Sequence, residues 1–253
     1  MLSNSQLRYV QSLQQKKFRR QHGVFVAEGE KIVSELLQSH FETEGVYALA
    51  DWLQENSHQI PGDLEVFETS QKDLVRISGL KTPNKVLAVV KMPTEEPAPI
   101  RQESLILLLD KVQDPGNLGT IIRTADWFGI RQVICSPDTA EVFSPKVVQA
   151  TMGSFLRVKI IYTELLPFLE KAKEKMTVYG AFLEGEDLWG GEVENRGILV
   201  IGNESKGISP EVASLVQKKV RIHGGRQPGR ADAAESLNAS VAAGILMAWL
   251  TKK

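Results

Sequence analysis

Three short segments of this sequence gather polar groups at the ends of apolar runs: Asp114-Pro115-Gly116-Asn117 with Arg123, Gly202-Asn203-Glu204, and Ser236-Leu237-Asn238. The first follows the apolar run 105–109 and leads into a helical pattern over 118–128. Polar groups between the carboxyl end of a strand and a helix are where open α/β sheets build ligand sites. Arg123 falls inside that helix, and a planar, permanently charged guanidinium suits a phosphate or a developing oxyanion. The second segment follows the apolar run 198–201, and the third opens an Ala-rich helix. The first segment alone indicates no more than an anion site on an α/β domain.

The elements that must position these residues alternate regularly. Strand patterns are read at 105–109, 132–135, 158–161, 177–183, 198–201 and 219–222. Helical patterns fall between them, for example at 118–128, 145–151, 165–175 and 210–217. Such alternation predicts a mostly parallel sheet with helices on both faces. Upstream, Met92-Pro93-Thr94-Glu95-Glu96-Pro97-Ala98-Pro99 reads as a stiff, exposed linker. Residues 1–91 before it form a smaller α/β pattern: a helix from Ser3 or Asn4 to about Arg20, a strand at 24–26, and a helix at 31–39. A strand at 46–49, a short helix carrying Trp52, an alternating strand at 64–67, a helix at 72–77 and a strand at 86–90 follow. The expected domains are therefore 1–91, a linker at 92–103, and 104–253.

Composition excludes several classes. The chain has 253 residues, 42% apolar and 24% charged, which is the make-up of a globular protein with an ordinary core. With 30 basic and 31 acidic residues, bulk charge gives no argument for nucleic acid. Local distribution does: Arg8, Lys16, Lys17, Arg19 and Arg20 occur with no acidic residue before Glu28. That stretch reads either as a solvated helix face or as a phosphate-contacting patch. The single cysteine, Cys135, ends an apolar run and reads as a buried, inert thiol; it excludes an intrachain disulfide and a cysteine zinc cluster. His22, His40 and His58 have no spacing for a metal, and His223 is a weak candidate for a base. No signal core or membrane-length apolar run is read, so a soluble cytoplasmic protein is the expectation.

In this order, the three polar segments resemble the three motifs of the SpoU/TrmH family of RNA ribose 2′-O-methyltransferases, within the knotted SPOUT class. The resemblance spans 104–250. Lys16-Lys17-Phe18-Arg19 and Phe25-Val26-Ala27-Glu28-Gly29 resemble the smaller RNA-binding domain often fused to such enzymes. The resemblance implies S-adenosylmethionine as cofactor, RNA (above all ribosomal RNA) as substrate, a homodimer, and a trefoil knot around Gly202 and Ile222. It also implies a catalytic cluster of Asn117, Arg123, Glu204, Ser236 and Asn238, and cofactor contacts at Gly202, Ile222 and Leu237. Within that cluster Arg123, a permanent cation, is better suited to clamp phosphate and nascent alkoxide than to remove a proton. Glu204 suits a positioning role.

One departure stands out. The family usually carries proline and methionine after the isoleucine, then a short loop to Ser-Leu-Asn. Here His223 and Gly224 stand in those places, and the loop through residue 234 is longer. Two alternatives stay open on sequence: a non-catalytic RNA-binding scaffold retaining the fold, and a methyltransferase acting on a base rather than a ribose.

Overall fold

The computed structural model describes residues 2–94, 104–188, 196–224 and 235–252. In chain order the first elements are α1 (Asn4–Ser12), α2 (Lys16–His22), β1 (Val24–Glu28), α3 (Glu30–Leu37) and β2 (Thr43–Ala48). Then come α4 (Ala50–Asn56), β3 (Glu65–Glu68), α5 (Gln71–Ile77) and β4 (Val86–Lys91). After the boundary segment lie β5 (Leu105–Leu109), α6 (Pro115–Trp127), β6 (Gln132–Cys135), α7 (Pro145–Thr151) and β7 (Lys159–Tyr162). The chain closes with α8 (Leu165–Ala172), β8 (Val178–Asp187), β9 (Gly197–Ile201), α9 (Pro210–Ala213), β10 (Lys218–Arg221) and α10 (Ala239–Leu250). Most of the linker expected at 92–103 lies outside the described residues.

Two compact units result: Met1–Glu95 with Glu141–Leu156, and Glu96–Ala140 with Arg157–Lys253. The smaller unit is built on a four-stranded sheet of order β1-β4-β2-β3, antiparallel except for the β2–β3 pair. On one face, Val24, Val26, Leu87 and Val89 pack with Leu7, Val10, Leu13, Leu74 and Ile77 from the α1–α5 side. Alternation along β1 turns Phe25 to the other face. There it stacks on Phe143, with ring centroids 4.5 Å apart, and meets Phe41 and Phe155 edge-on. This aromatic cluster is the physical reason that Glu141–Leu156, expected with the C-terminal domain, groups with the N-terminal unit.

The single helix expected up to about Arg20 is two. It breaks at Leu13–Gln15, and the Arg19 guanidinium donates to the carbonyl oxygens of Leu13 and Gln14 at 3.0 and 2.9 Å. Carbonyls freed at the end of α1 thereby gain a donor, as buried helix ends require.

The larger unit carries a six-stranded parallel sheet of order β10-β8-β9-β5-β6-β7. All five residues of β5 are buried, and so are all five of β9, which fits central strands covered on both faces. Ile106, Leu108, Ile134, Ile198 and Val200 pack against Leu165, Leu169 and Ala172 of α8 and Val212 of α9. On the opposite face α10 packs on α6 and β9. The expected layering is observed, with strand limits shifted by a residue or two and β8 running to Asp187.

Candidate active site

Strands β5 and β9 are neighbours, with Leu109 opposite Ile201, so the segments after them emerge side by side. The Asp110 N–H donates to Ile201 O at 2.9 Å and extends that pairing. Lys111 then takes a left-handed conformation, φ 57°. Asp114 caps α6, its Oδ1 accepting from the Asn117 N–H at 2.7 Å, and Pro115 opens the first turn where no N–H is needed. Asn117 is thereby placed in the first turn of α6 and buried.

Across the strand ends, Gly202 begins a tight loop closed by reciprocal backbone bonds between Asn203 and Gly207, both 2.9 Å. A Cβ on Gly202 would lie 2.2 Å from Gly207 C and Ile208 N, so only glycine fits. Gly207 itself sits at φ 69°. The glycine requirement at 202 thus comes from the loop folding back on itself, whereas the family resemblance accounts for it by cofactor contact.

Glu204 stands at the centre of the resulting network. Its Oε1 accepts from Asn117 Nδ2 at 3.1 Å and Asp114 N at 3.2 Å; its Oε2 accepts from Asn203 Nδ2 at 3.3 Å and Gln113 N at 3.5 Å. Burial raises its pKa, but the Asn117 amide and the backbone N–H groups of Glu204, Asp114 and Gln113 outweigh it. The carboxyl is held below its usual value. An ionised carboxylate only accepts, so Asn117 must turn its NH₂ to Glu204 and its Oδ1 away. That Oδ1 receives Asn238 Nδ2 at 2.9 Å. Asn238 in turn presents Oδ1 to the N–H groups of Ser240 and Val241, at 2.9 and 3.3 Å, and caps α10. One directional relay, Glu204–Asn117–Asn238, ties all three segments together and fixes every amide in it.

Three of the five expected catalytic residues therefore meet directly. Arg123 lies on α6 but is exposed and makes no hydrogen bond or ion pair among the described residues. Ser236 is exposed, two residues before Asn238, which caps α10. Of the expected cofactor contacts, Ile222 is half-buried and Leu237 is 49% exposed. Apolar surface at both positions fits the face of an adenine. The loop at 225–234, with Arg226 and Arg230, lies outside the described residues.

In the smaller unit, Arg8, Lys16, Lys17 and Arg20 are exposed and make no ion pair among the described residues. Arg19 corrects the sequence reading of an RNA contact. It is 2% exposed, with Nη2 2.6 Å from Glu141 Oε2 and Nη1 on two carbonyls. Cys135 is buried, and burial pushes its thiol well above the usual range, as expected of an inert side chain.

Sequence reasoning names Asn203 within the second segment but gives it no role. Its Nδ2 holds Lys111 O at 2.8 Å while its Oδ1 accepts from the N–H groups of Ser205 and Lys206. An Asn two and three residues before these amides is an Asx-turn signal, and it was legible.

A six-stranded parallel sheet whose strand ends carry this relay, and a smaller domain before it, define a class that comparison with known proteins identifies. The SpoU rRNA Methylase family model matches residues 104–248, and the MRM3-like substrate binding domain model matches residues 4–88. The chain belongs to the SpoU methylase family. A solved structure described as a putative RNA methyltransferase of the TrmH family from Porphyromonas gingivalis is 41% identical, with TM-score 0.86 over 99% of this chain and 98% of that one. An AdoMet-bound rRNA methyltransferase from Sinorhizobium meliloti is 29% identical, with TM-score 0.85 over 99% and 95%. The 23S rRNA (guanosine(2553)-2'-O)-methyltransferase RlmP of Bacillus subtilis is 32% identical over 96% of this chain and 95% of its own length.

Proposed function

We propose that this protein methylates a ribose 2′-hydroxyl of ribosomal RNA with S-adenosylmethionine as donor. The observation that carries the proposal is the Glu204–Asn117–Asn238 relay, which holds the three family segments in one polar site. The cofactor supplies an electrophilic sulfonium methyl; apolar Ile222 and Leu237, with the main chain at Gly202, are the residues that would hold it. The protein's own task is to orient the hydroxyl and stabilise the oxyanion as it forms, through donors fixed beforehand. Arg123, permanently charged and without a partner among the described residues, is available as that clamp. Glu204 already accepts four hydrogen bonds and its pKa is depressed, so it positions Asn117 and leaves the proton to another acceptor. Ser236 lies two residues before the α10 cap and completes the cluster.

Residues 1–91 serve as the RNA-binding domain, with Arg8, Lys16, Lys17 and Arg20 as its phosphate contacts. Residues 104–253, joined by a linker at 92–103 and lending 141–156 to the smaller unit, form the knotted catalytic domain. The protein acts in the cytoplasm as a homodimer. Leu246, Trp249 and Leu250 are buried within the subunit, so the dimer face rests on exposed Val241 of α10 and Trp127 of α6. No helix among the described residues is long and apolar enough to cross a membrane.

The test is incubation of the purified protein with unmodified 23S rRNA transcript and labelled S-adenosylmethionine, then digestion to nucleosides. Label in a 2′-O-methyl nucleoside is expected. Label on a base would assign a different acceptor, and no cofactor binding at saturation would make the protein a scaffold.

A further inference from the structure

A cleft of about 260 Å³ opens beside the relay, lined by Asp110, Lys111, Gln113, Asn203, Lys206 and Glu211, among others. Its position is informative. Gln113 and Asn203 line it and also hydrogen-bond to Glu204, so the cleft and the relay share a wall. Neither Lys111 nor Lys206 makes an ion pair among the described residues.

Lys111 is there against a local preference. Its φ of 57° is a conformation that glycine or asparagine adopts more cheaply than lysine. The fold imposes it from both sides of the residue. Ser136 Oγ accepts from the Lys111 N–H at 2.9 Å, and Asn203 Nδ2 donates to the Lys111 carbonyl at 2.8 Å. Ser136 is itself buried and pairs with Thr139 Oγ1 at 3.0 Å. Lys206 is fixed on the opposite loop, where its N–H donates to Asn203 Oδ1 at 3.1 Å. One asparagine side chain thus anchors the backbone of both lysines.

The two carboxylates of the lining do not make the cleft a cation site. Asp110 is 2% exposed and its Oδ2 accepts from the Ser209 N–H at 2.7 Å. Glu211 is exposed in the first turn of α9. Among the described residues no group of three His, Cys, Asp or Glu side chains is placed to hold a metal.

We propose that this cleft seats a backbone phosphate of the RNA substrate, with Lys111 and Lys206 as its cationic contacts and Asn203 as the residue that positions both. The proposal rests on the methyltransferase reading above and adds to it a second point of attachment for RNA, in the catalytic domain. A phosphate bound there would lie next to the relay, so it would register the substrate strand as well as bind it.

The experiment uses the full chain with Lys111→Gly, Lys111→Arg and Lys206→Ala, binding unmodified 23S rRNA transcript over a salt series. Thermal melting and S-adenosylmethionine affinity are measured alongside. Glycine relieves the backbone strain at 111 while removing the charge, so the proposal expects opposite signs. The Lys111→Gly protein should melt no lower than wild type yet bind RNA several-fold more weakly, with the salt slope reduced by about 0.7 for each phosphate that is no longer neutralised. Lys206→Ala should reduce the slope similarly, and Lys111→Arg should restore RNA affinity. Cofactor affinity should stay unchanged in all three. Wild-type RNA affinity and slope in Lys111→Gly and Lys206→Ala, with methyl transfer intact, would overturn the phosphate seat alone. If wild-type protein transfers no methyl group to any RNA, the function fails and the seat falls with it.

Discussion

Replacing Glu204 with glutamine and with alanine separates positioning from proton transfer. In the glutamine variant the single side-chain oxygen can keep the tighter pair, from Asn117 Nδ2 at 3.1 Å and Asp114 N at 3.2 Å. The new NH₂ then faces Asn203 Nδ2 and Gln113 N, two donors formerly at 3.3 and 3.5 Å from the carboxylate. Hydrogen bonds to a charged group contribute about 1.5–3 kcal/mol each, and long, partly exposed ones less, so the variant should lose roughly 2 kcal/mol. If that loss falls on the geometry of Asn117 and Asn238 in the transition state, turnover should drop about 10- to 50-fold. Alanine removes all four bonds and should slow turnover by about 10³-fold or more. The pH response supplies a second reading. A carboxyl whose folded pKa is depressed contributes stability above its unfolded value and loses it as pH falls through the lower folded value. Wild-type melting temperature should therefore decline in acid more steeply than that of Glu204→Gln, below the ordinary carboxyl value of 4.5. Single-turnover transfer of labelled methyl groups and melting curves read both effects. Glutamine as damaging as alanine, with normal melting, would make Glu204 a proton acceptor and refute the reasoning.

Arg19→Ala leaves Glu141 without its partner and two carbonyls without a donor, and should cost the smaller unit about 2–4 kcal/mol in a melting experiment. By contrast, Lys16→Ala with Lys17→Ala should leave melting unchanged and weaken RNA binding in a salt-dependent way. Gly202→Ala places a methyl group 2.2 Å from the backbone of Gly207 and Ile208. It should abolish S-adenosylmethionine binding, measured by calorimetry, while Gly207→Asn, tolerant of φ 69°, should retain it. Arg123→Gln should lose methyl transfer and keep cofactor affinity; near-normal turnover would remove the guanidinium from the mechanism.

The sheet is legible in the sequence because β5 and β9 are unbroken apolar runs, and buried central strands require such runs. Hydrophobic periodicity places the start of α6 three residues late, at Leu118. The Asp114–Pro115 pair carries the correct signal, a capping carboxylate followed by a residue that needs no N–H. Arg19 reads wrongly as a surface charge because its burial depends on a partner, Glu141, that is 122 residues away. No local charge pattern reports such a partner. Likewise, Phe143 and Phe155 fall by position in the C-terminal domain, and only Phe25, stacked on the first and edge-on to the second, ties them to the smaller unit. For the site, the residues of the relay are nameable from sequence, but its direction is not. That follows only from Glu204 accepting from Asn117, which leaves the Asn117 oxygen for Asn238. Lys111 gives no signal at all, since a left-handed lysine arises from its tertiary partners Ser136 and Asn203.

The most direct measurement is a double-mutant cycle on Asn117→Ala and Asn238→Ala, read by single-turnover methyl transfer from labelled S-adenosylmethionine to unmodified 23S rRNA. The 2.9 Å bond between them predicts that each single variant is strongly impaired. The double variant should be little worse than either one, a coupling of about 1–3 kcal/mol. Strictly additive losses, or normal transfer by either single variant, would contradict a site in which the three segments act as one unit.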